Sequence, residues 1–125
     1  MGPFVAGGEL WKVARVDPDD SRLVDRTGWL TVGTTDPATR TIYLSSTLKA
    51  PELDRVVLHE IAHAMTMSHG ALPYMRELVP QDSWITVEEW SAAMMENHSL
   101  EAVEAATKVL GRPVCIGGIC HDRSS

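Results

Sequence analysis

The stretch that most constrains this chain is Leu58-His59-Glu60-Ile61-Ala62-His63-Ala64, a His-Glu-x-x-His element set in an apolar pattern of helical period. Leu53, Val56, Val57, Ile61, Ala64 and Met67 recur at three- and four-residue intervals, which predicts a helix with one face toward a core. Pro51 suits its first turn, Glu52 and Asp54 place negative charge at its positive end, and Gly70 is a natural stop. The helix is therefore expected from about Pro51 to about Ser68. Histidines four residues apart lie on one face, one turn above the other. Two imidazoles so placed can grip one zinc ion, with Zn–N distances of about 2.0–2.1 Å. Glu60 would reach a water beside the metal rather than the metal itself, which is the position of a general base. The plain alternative is a solvated face that carries two histidines. Apolar flanks oppose it, because half-buried imidazoles need partners.

At 125 residues the chain should be one domain spanning 1–125, with a modest core that needs no disulfide framework. Its 44% apolar content is too high for disorder. A net charge of -6 with no basic stripe speaks against a nucleic-acid partner. No run approaches the ~18 apolar residues of a membrane span, and the first residues lack the pattern of a secretory signal. A cytoplasmic location is expected. Cys115 and Cys120 bracket Ile116-Gly117-Gly118-Ile119, a two-residue hairpin signal. Opposite each other they could form a small disulfide or stay reduced, and a second metal group with His121 would be short of a ligand.

Leu10–Val16 alternates well enough for a strand, ended by Asp17-Pro18-Asp19-Asp20. Trp29–Val32 and Thr41–Leu44 read as two further strands around the turn Asp36-Pro37-Ala38-Thr39, giving an antiparallel hairpin. After Gly70, Pro73 and Pro80 break the chain, with one helical turn near Tyr74–Leu78. Thr86 and Glu89 have capping-box spacing for another helix. Asn97-His98-Ser99 would interrupt it, and Gly111 and Pro113 would end it. The class is α+β: a short antiparallel sheet packed on the motif helix and on C-terminal helices.

A third ligand must come from elsewhere, and three residues compete. His69 stands at the metzincin spacing His-Glu-x-x-His-x-x-Gly-x-x-His, and Met65-Thr66-Met67-Ser68-His69 resembles the matrixin run. Thr66 occupies the position of the helix-breaking glycine, so a continuing helix would carry His69 about 9 Å past His63. Glu88 and Glu89 offer instead a carboxylate from the next helix, as in gluzincins with two His and one Glu. Glu89-Trp90-Ser91-Ala92 resembles the Glu-x-x-Ala segment of ImmA/IrrE-type metallopeptidases, which favours Glu89, with Glu88 behind it. Trp84 and Trp90 flank that ligand and are expected to pack beneath it.

Residues 40–111 as a whole are similar to small zincin-like proteins of phages and prophages. Where such families place an Asn or Asp to hold a histidine ring, this chain has Ala93, so Glu96 or Asn97 must serve. The resemblance implies a zincin-like fold and a zinc metalloendopeptidase with ligands His59, His63 and Glu89 and general base Glu60. It also implies a peptide or protein substrate lying along the free edge of a strand over Ile42–Ser45. Tyr74 and His98 are candidate oxyanion donors. The rival reading is a structural or virion-associated protein whose zinc only stabilises the fold, its site closed by His69, His98 or His121.

Overall fold

The computed structural model describes residues 1–116 and 119–121, with side-chain detail for all of these except 71–74, 116 and 119–121. Strands β1 (Phe4–Ala6) and β2 (Glu9–Val16) form an antiparallel hairpin across Gly7-Gly8. Both turn residues take positive φ, +57° and +77°, which matches a two-residue turn to the twist of its strands. A side chain at Gly7 would also collide with the Ser68 carbonyl. β1 was not expected from sequence.

Strand β3 (Gly33–Asp36) turns through residues 37–40 into β4 (Thr41–Ser45) and pairs with it antiparallel, Gly33 opposite Leu44 and Asp36 opposite Thr41. The hairpin expected at this turn is present, but its first arm is not Trp29–Val32. A turn at 37–40 pairs the residues that directly precede it, so the arm moves to Gly33–Asp36. Trp29–Val32 instead forms a largely exposed loop, tied by a bridge between Val24 and Leu30 and by hydrogen bonds from Thr31 to Leu23 and from Ser45 to Val32.

The sheet order is β1-β2-β4-β3, with β2 and β4 parallel. The sheet is thus mixed rather than antiparallel. After β2 the chain passes through a 3₁₀ turn at Ser21–Leu23, reaches the far edge as β3 and returns as β4 into the centre. β4 suits that place because four of its five residues are buried, as befits a strand covered on both faces. It follows that Ile42–Ser45 has no free edge. The edges belong to β1 and β3.

Helix α1 (Glu52–Ser68) follows Pro51, and Gly70, at φ +69°, turns the chain after it. Helix α2 (Ala71–Leu78) is longer than the expected single turn. Helix α3 (Trp84–Leu110) is continuous, where two C-terminal helices were expected. No Gly or Pro interrupts residues 84–110, and Asn97 bonds back to the Ala93 carbonyl within the helix. Thr86 lies inside α3 rather than at its cap, so the capping box is not formed. Gly111, left-handed at +71°, ends it. Beyond it β5 (Val114–Ile116) and β6 (Ile119–His121) pair antiparallel with Cys115 opposite Cys120.

The core lies between the sheet and α1. Trp11, Ile42, Leu44 and Leu48 from the sheet side meet Ala64, with Val56, Val57 and Ile61 packed around them. Each fully buried large aliphatic side chain contributes about 1.5–3 kcal/mol. Trp11 also donates its indole N–H to Ser68 Oγ at 2.7 Å, fastening β2 to the end of α1. α3 adds no residue to this cluster, and its buried residues are Glu88 and Ala92. Among the described residues, no helix is long and apolar enough to cross a membrane.

Candidate metal centre

α1 presents His59 and His63 one turn apart toward α3, their rings edge to face with centroids 5.0 Å apart. His63 is buried and His59 partly exposed. From α3, Glu89 reaches both rings: Oε2 lies 3.2 Å from His59 Nε2, and Oε1 lies 3.2 Å from His63 Nε2. The two Nε2 atoms are 3.3 Å apart. The Glu89 carboxylate thus sets one oxygen against each ring, and one ligand atom from each of the three residues lies within 4.8 Å of the other two. A tetrahedral shell with bonds of about 2.05 Å has edges of about 3.3 Å, which is the separation of the two Nε2 atoms. Among the described residues this is the group that could hold a metal ion.

Glu88 takes the other side of His63. Neighbouring helical residues are rotated by about 100°, so Glu88 and Glu89 straddle the ring. Glu88 Oε1 is 3.0 Å from His63 Nδ1. With Nδ1–H donating to that carboxylate, Nε2 of the neutral ring would turn its lone pair toward Glu89 and His59. Glu88 is 3% exposed and accepts a second bond from the Arg26 guanidinium at 2.8 Å. Arg26 also lies 3.6 Å from Glu89 Oε1. On His59 the corresponding neighbour is Glu96, 3.7 Å from Nδ1. Asn97, the other residue considered for that task, is committed to the Ala93 carbonyl.

Glu60 is buried, and Thr35 Oγ1 of β3 donates to its Oε1 at 2.9 Å and its carbonyl at 3.1 Å. Gly33 allows this close approach: a Cβ there would stand 2.7 Å from Val56 Cγ1 and 3.3 Å from Glu60 Cγ. Burial raises the Glu60 carboxyl above its ordinary range, against the pull of the two histidines and Thr35. Hydrogen bonding to the histidines holds Glu89 well below the usual carboxylate range. Burial opposes charge on His63 and Glu88, but their mutual bond, with help from Glu89 and Arg26, outweighs it. His63 rises to about 9 and Glu88 falls to about 2. His59 is raised chiefly by its bond to Glu89.

The other expected residues lie apart. α1 stays helical through Ser68, and His69 is an exposed cap beyond it, outside the group. His98 is exposed on α3 and faces Glu101. Trp90 is exposed rather than packed beneath Glu89, and Trp84 donates to the Arg76 and Val79 carbonyls at the α2–α3 junction. The side chains of Tyr74, Cys120 and His121 lie outside the described residues. Cys115 is disulfide-bonded, which removes its thiolate from any second metal group. Arg26 and Thr35 were not anticipated. Thr35 becomes visible once the turn at 37–40 fixes β3, because a period of two then puts Gly33 and Thr35 on one face. Nothing local marks Arg26, whose partner is 62 residues away.

A cleft of about 720 Å³ opens over His59, His63 and Glu89, walled by β3, the loop at residues 24–26 and α3. Comparison with protein-family models, curated protein sequences and solved structures gives no match.

Proposed function

We propose that the chain is a zinc-dependent metalloendopeptidase with a zincin-like site, held by His59, His63 and Glu89 and served by Glu60. The observation that carries this reading is the convergence of the His59 and His63 Nε2 atoms, 3.3 Å apart, with the Glu89 carboxylate, and Glu60 buried one residue from His59. Three donors leave a coordination position free, and no fourth one joins them among the described residues, which favours catalysis over a closed structural site. When bound, zinc supplies Lewis acidity, polarising a peptide carbonyl and lowering the pKa of an adjoining water toward ~7. Glu60 does the proton work. Thr35 holds its Oε1, leaving Oε2 to take a proton from water and deliver it to the departing amine. Glu88, braced by Arg26, fixes the His63 ring.

The substrate edge is β3, not the strand over Ile42–Ser45. Ser45 N–H donates to the Val32 carbonyl, so the ladder alternates to leave Gly33 and Thr35 with backbone groups facing away from β4. Consistent with this, the Gly33 carbonyl is free to accept from Thr31 Oγ1. An extended peptide can add to that edge by main-chain hydrogen bonds, beside Glu60. The motif resemblance to ImmA/IrrE-type and phage-encoded proteins points to a regulatory protein substrate in a host cytoplasm, with cell-wall peptides as the other class.

Purification without chelator followed by metal analysis should find one zinc per chain. Glu60→Gln should keep that zinc and lose hydrolysis of a mixed peptide library. Absence of zinc, or unchanged hydrolysis in Glu60→Gln, would refute the reading.

A further inference from the structure

The charged groups that line the cleft can be paired off one by one. Arg22 is engaged by Asp20 in two hydrogen bonds and lies over the Tyr43 ring. Arg26 is engaged by Glu88 and Glu89. Asp25 accepts from the Thr27 hydroxyl and backbone, and Asp36 from Ala38 and Thr39 in the β3–β4 turn. Glu60 is held by Thr35, while Glu89 and Glu96 face the histidines. Arg76, on α2, is the exception among the described residues of the lining. It lies 5.0 Å over the Trp84 ring and has no carboxylate partner.

Stacking on an indole fixes the plane of a guanidinium while leaving its hydrogen-bond fork open. The Trp84 indole is itself held, donating to two carbonyls at 3.1 and 3.2 Å. Arg76 is therefore a cation positioned in advance, with five donors and no side-chain acceptor among the described residues. An Arg fork matches a carboxylate in two-point geometry. Every acid of the cleft is already spoken for, so the complement must arrive with the ligand.

We infer that Arg76 is a specificity residue of the proposed peptidase cleft, receiving a carboxylate of the bound peptide. This rests on the reading that the cleft binds peptides. The carboxylate belongs either to an Asp or Glu side chain or to a free C-terminus, and the two sources are separable.

The test uses the full chain as the Glu60→Gln variant, immobilised and exposed to two synthetic random-hexapeptide libraries, one with free and one with amidated C-termini. Acidic residues enriched at one position in both libraries identify a side chain. Capture confined to the free-acid library identifies a terminal carboxylate. Either preference should drop roughly tenfold or more when Arg76→Gln is added, since one charge-assisted contact is lost. Zinc content should not change, because Arg76 does not touch the metal group, and the melting temperature should fall by no more than the loss of one exposed cation–π contact. Capture without carboxylate preference, or a preference that survives Arg76→Gln, overturns the role of Arg76 and leaves the peptidase reading standing. No capture from either library overturns both.

Discussion

Gly33→Ala would measure how tightly β3 is pressed against the helix that carries the motif. The new methyl would lie 2.7 Å from Val56 Cγ1, roughly 1 Å short of an ordinary carbon–carbon contact. Two responses are open. Val56 can turn away and lose contacts with the core, or β3 can move outward. An outward shift of about 1 Å would take Thr35 Oγ1 from 2.9 Å to beyond hydrogen-bond reach of Glu60 Oε1. Overpacking of this size costs about 1–3 kcal/mol. Urea unfolding of the metal-free chain should show that loss as a lower midpoint at unchanged m. Val56→Ala alone should cost of order 1–2 kcal/mol for the cavity it opens. Placed on Gly33→Ala, it removes the colliding atom, so the double variant should be more stable than the sum of the single losses by about 0.5–2 kcal/mol. Additive losses, or a Gly33→Ala cost below about 0.5 kcal/mol, would refute the close packing of β3 on α1.

Glu88→Ala should weaken zinc binding by about 10–100-fold in competition with a chelating dye, because His63 loses the partner that orients its ring. Glu88→Gln, which can still accept from Nδ1–H, should lose less. Glu89→Ala should abolish stoichiometric zinc, whereas His69→Ala should leave it unchanged. In chelated protein, the His63–Glu88 pair links stability to pH at both ends. The raised His63 contributes fully below its ordinary 6.5 and loses that contribution as pH rises through about 9. The depressed Glu88 contributes fully above its ordinary 4.5 and loses it as pH falls through about 2. Urea midpoints should therefore peak near pH 5.5 and fall toward pH 3 and pH 9.5, and Glu88→Gln should flatten the profile; a wild-type profile already flat would refute the coupling.

Features encoded locally could be read from the chain. α1 announces itself through its apolar period and its terminal residues, and the same period puts His59 and His63 on one face. The antiparallel pairing of β5 with β6 was readable, and Gly7-Gly8 carries the same turn signal for β1, weakened because the segment ahead of it is only Phe4–Ala6. Trp29–Val32 misleads because strand propensity and hydrophobicity peak there, while Gly33-Thr34-Thr35-Asp36 scores poorly and pairs only because the turn delivers it to β4. α3 misleads in the opposite direction. Asn97-His98-Ser99 resembles a break, yet three weak helix formers do not stop a helix whose flanks lack Gly and Pro. Glu89 resembled both a cap and a ligand, and its adjacency to Glu88 left their order to be set by the rotation of the helix about its axis. Parallel pairing of β2 with β4, and the reach of Arg26 to Glu88, depend on contacts distant in sequence, for which no local pattern exists.

The division of labour between the helices has one further consequence. α1 is cemented to the sheet by hydrocarbon, whereas the fully buried residues of α3 are Glu88 and Ala92, and its ties around the histidines are charged. A cation seated there would act as a rivet between the two helices, taking two bonds from α1 and one from α3. Its binding and the docking of α3 on α1 would then strengthen each other.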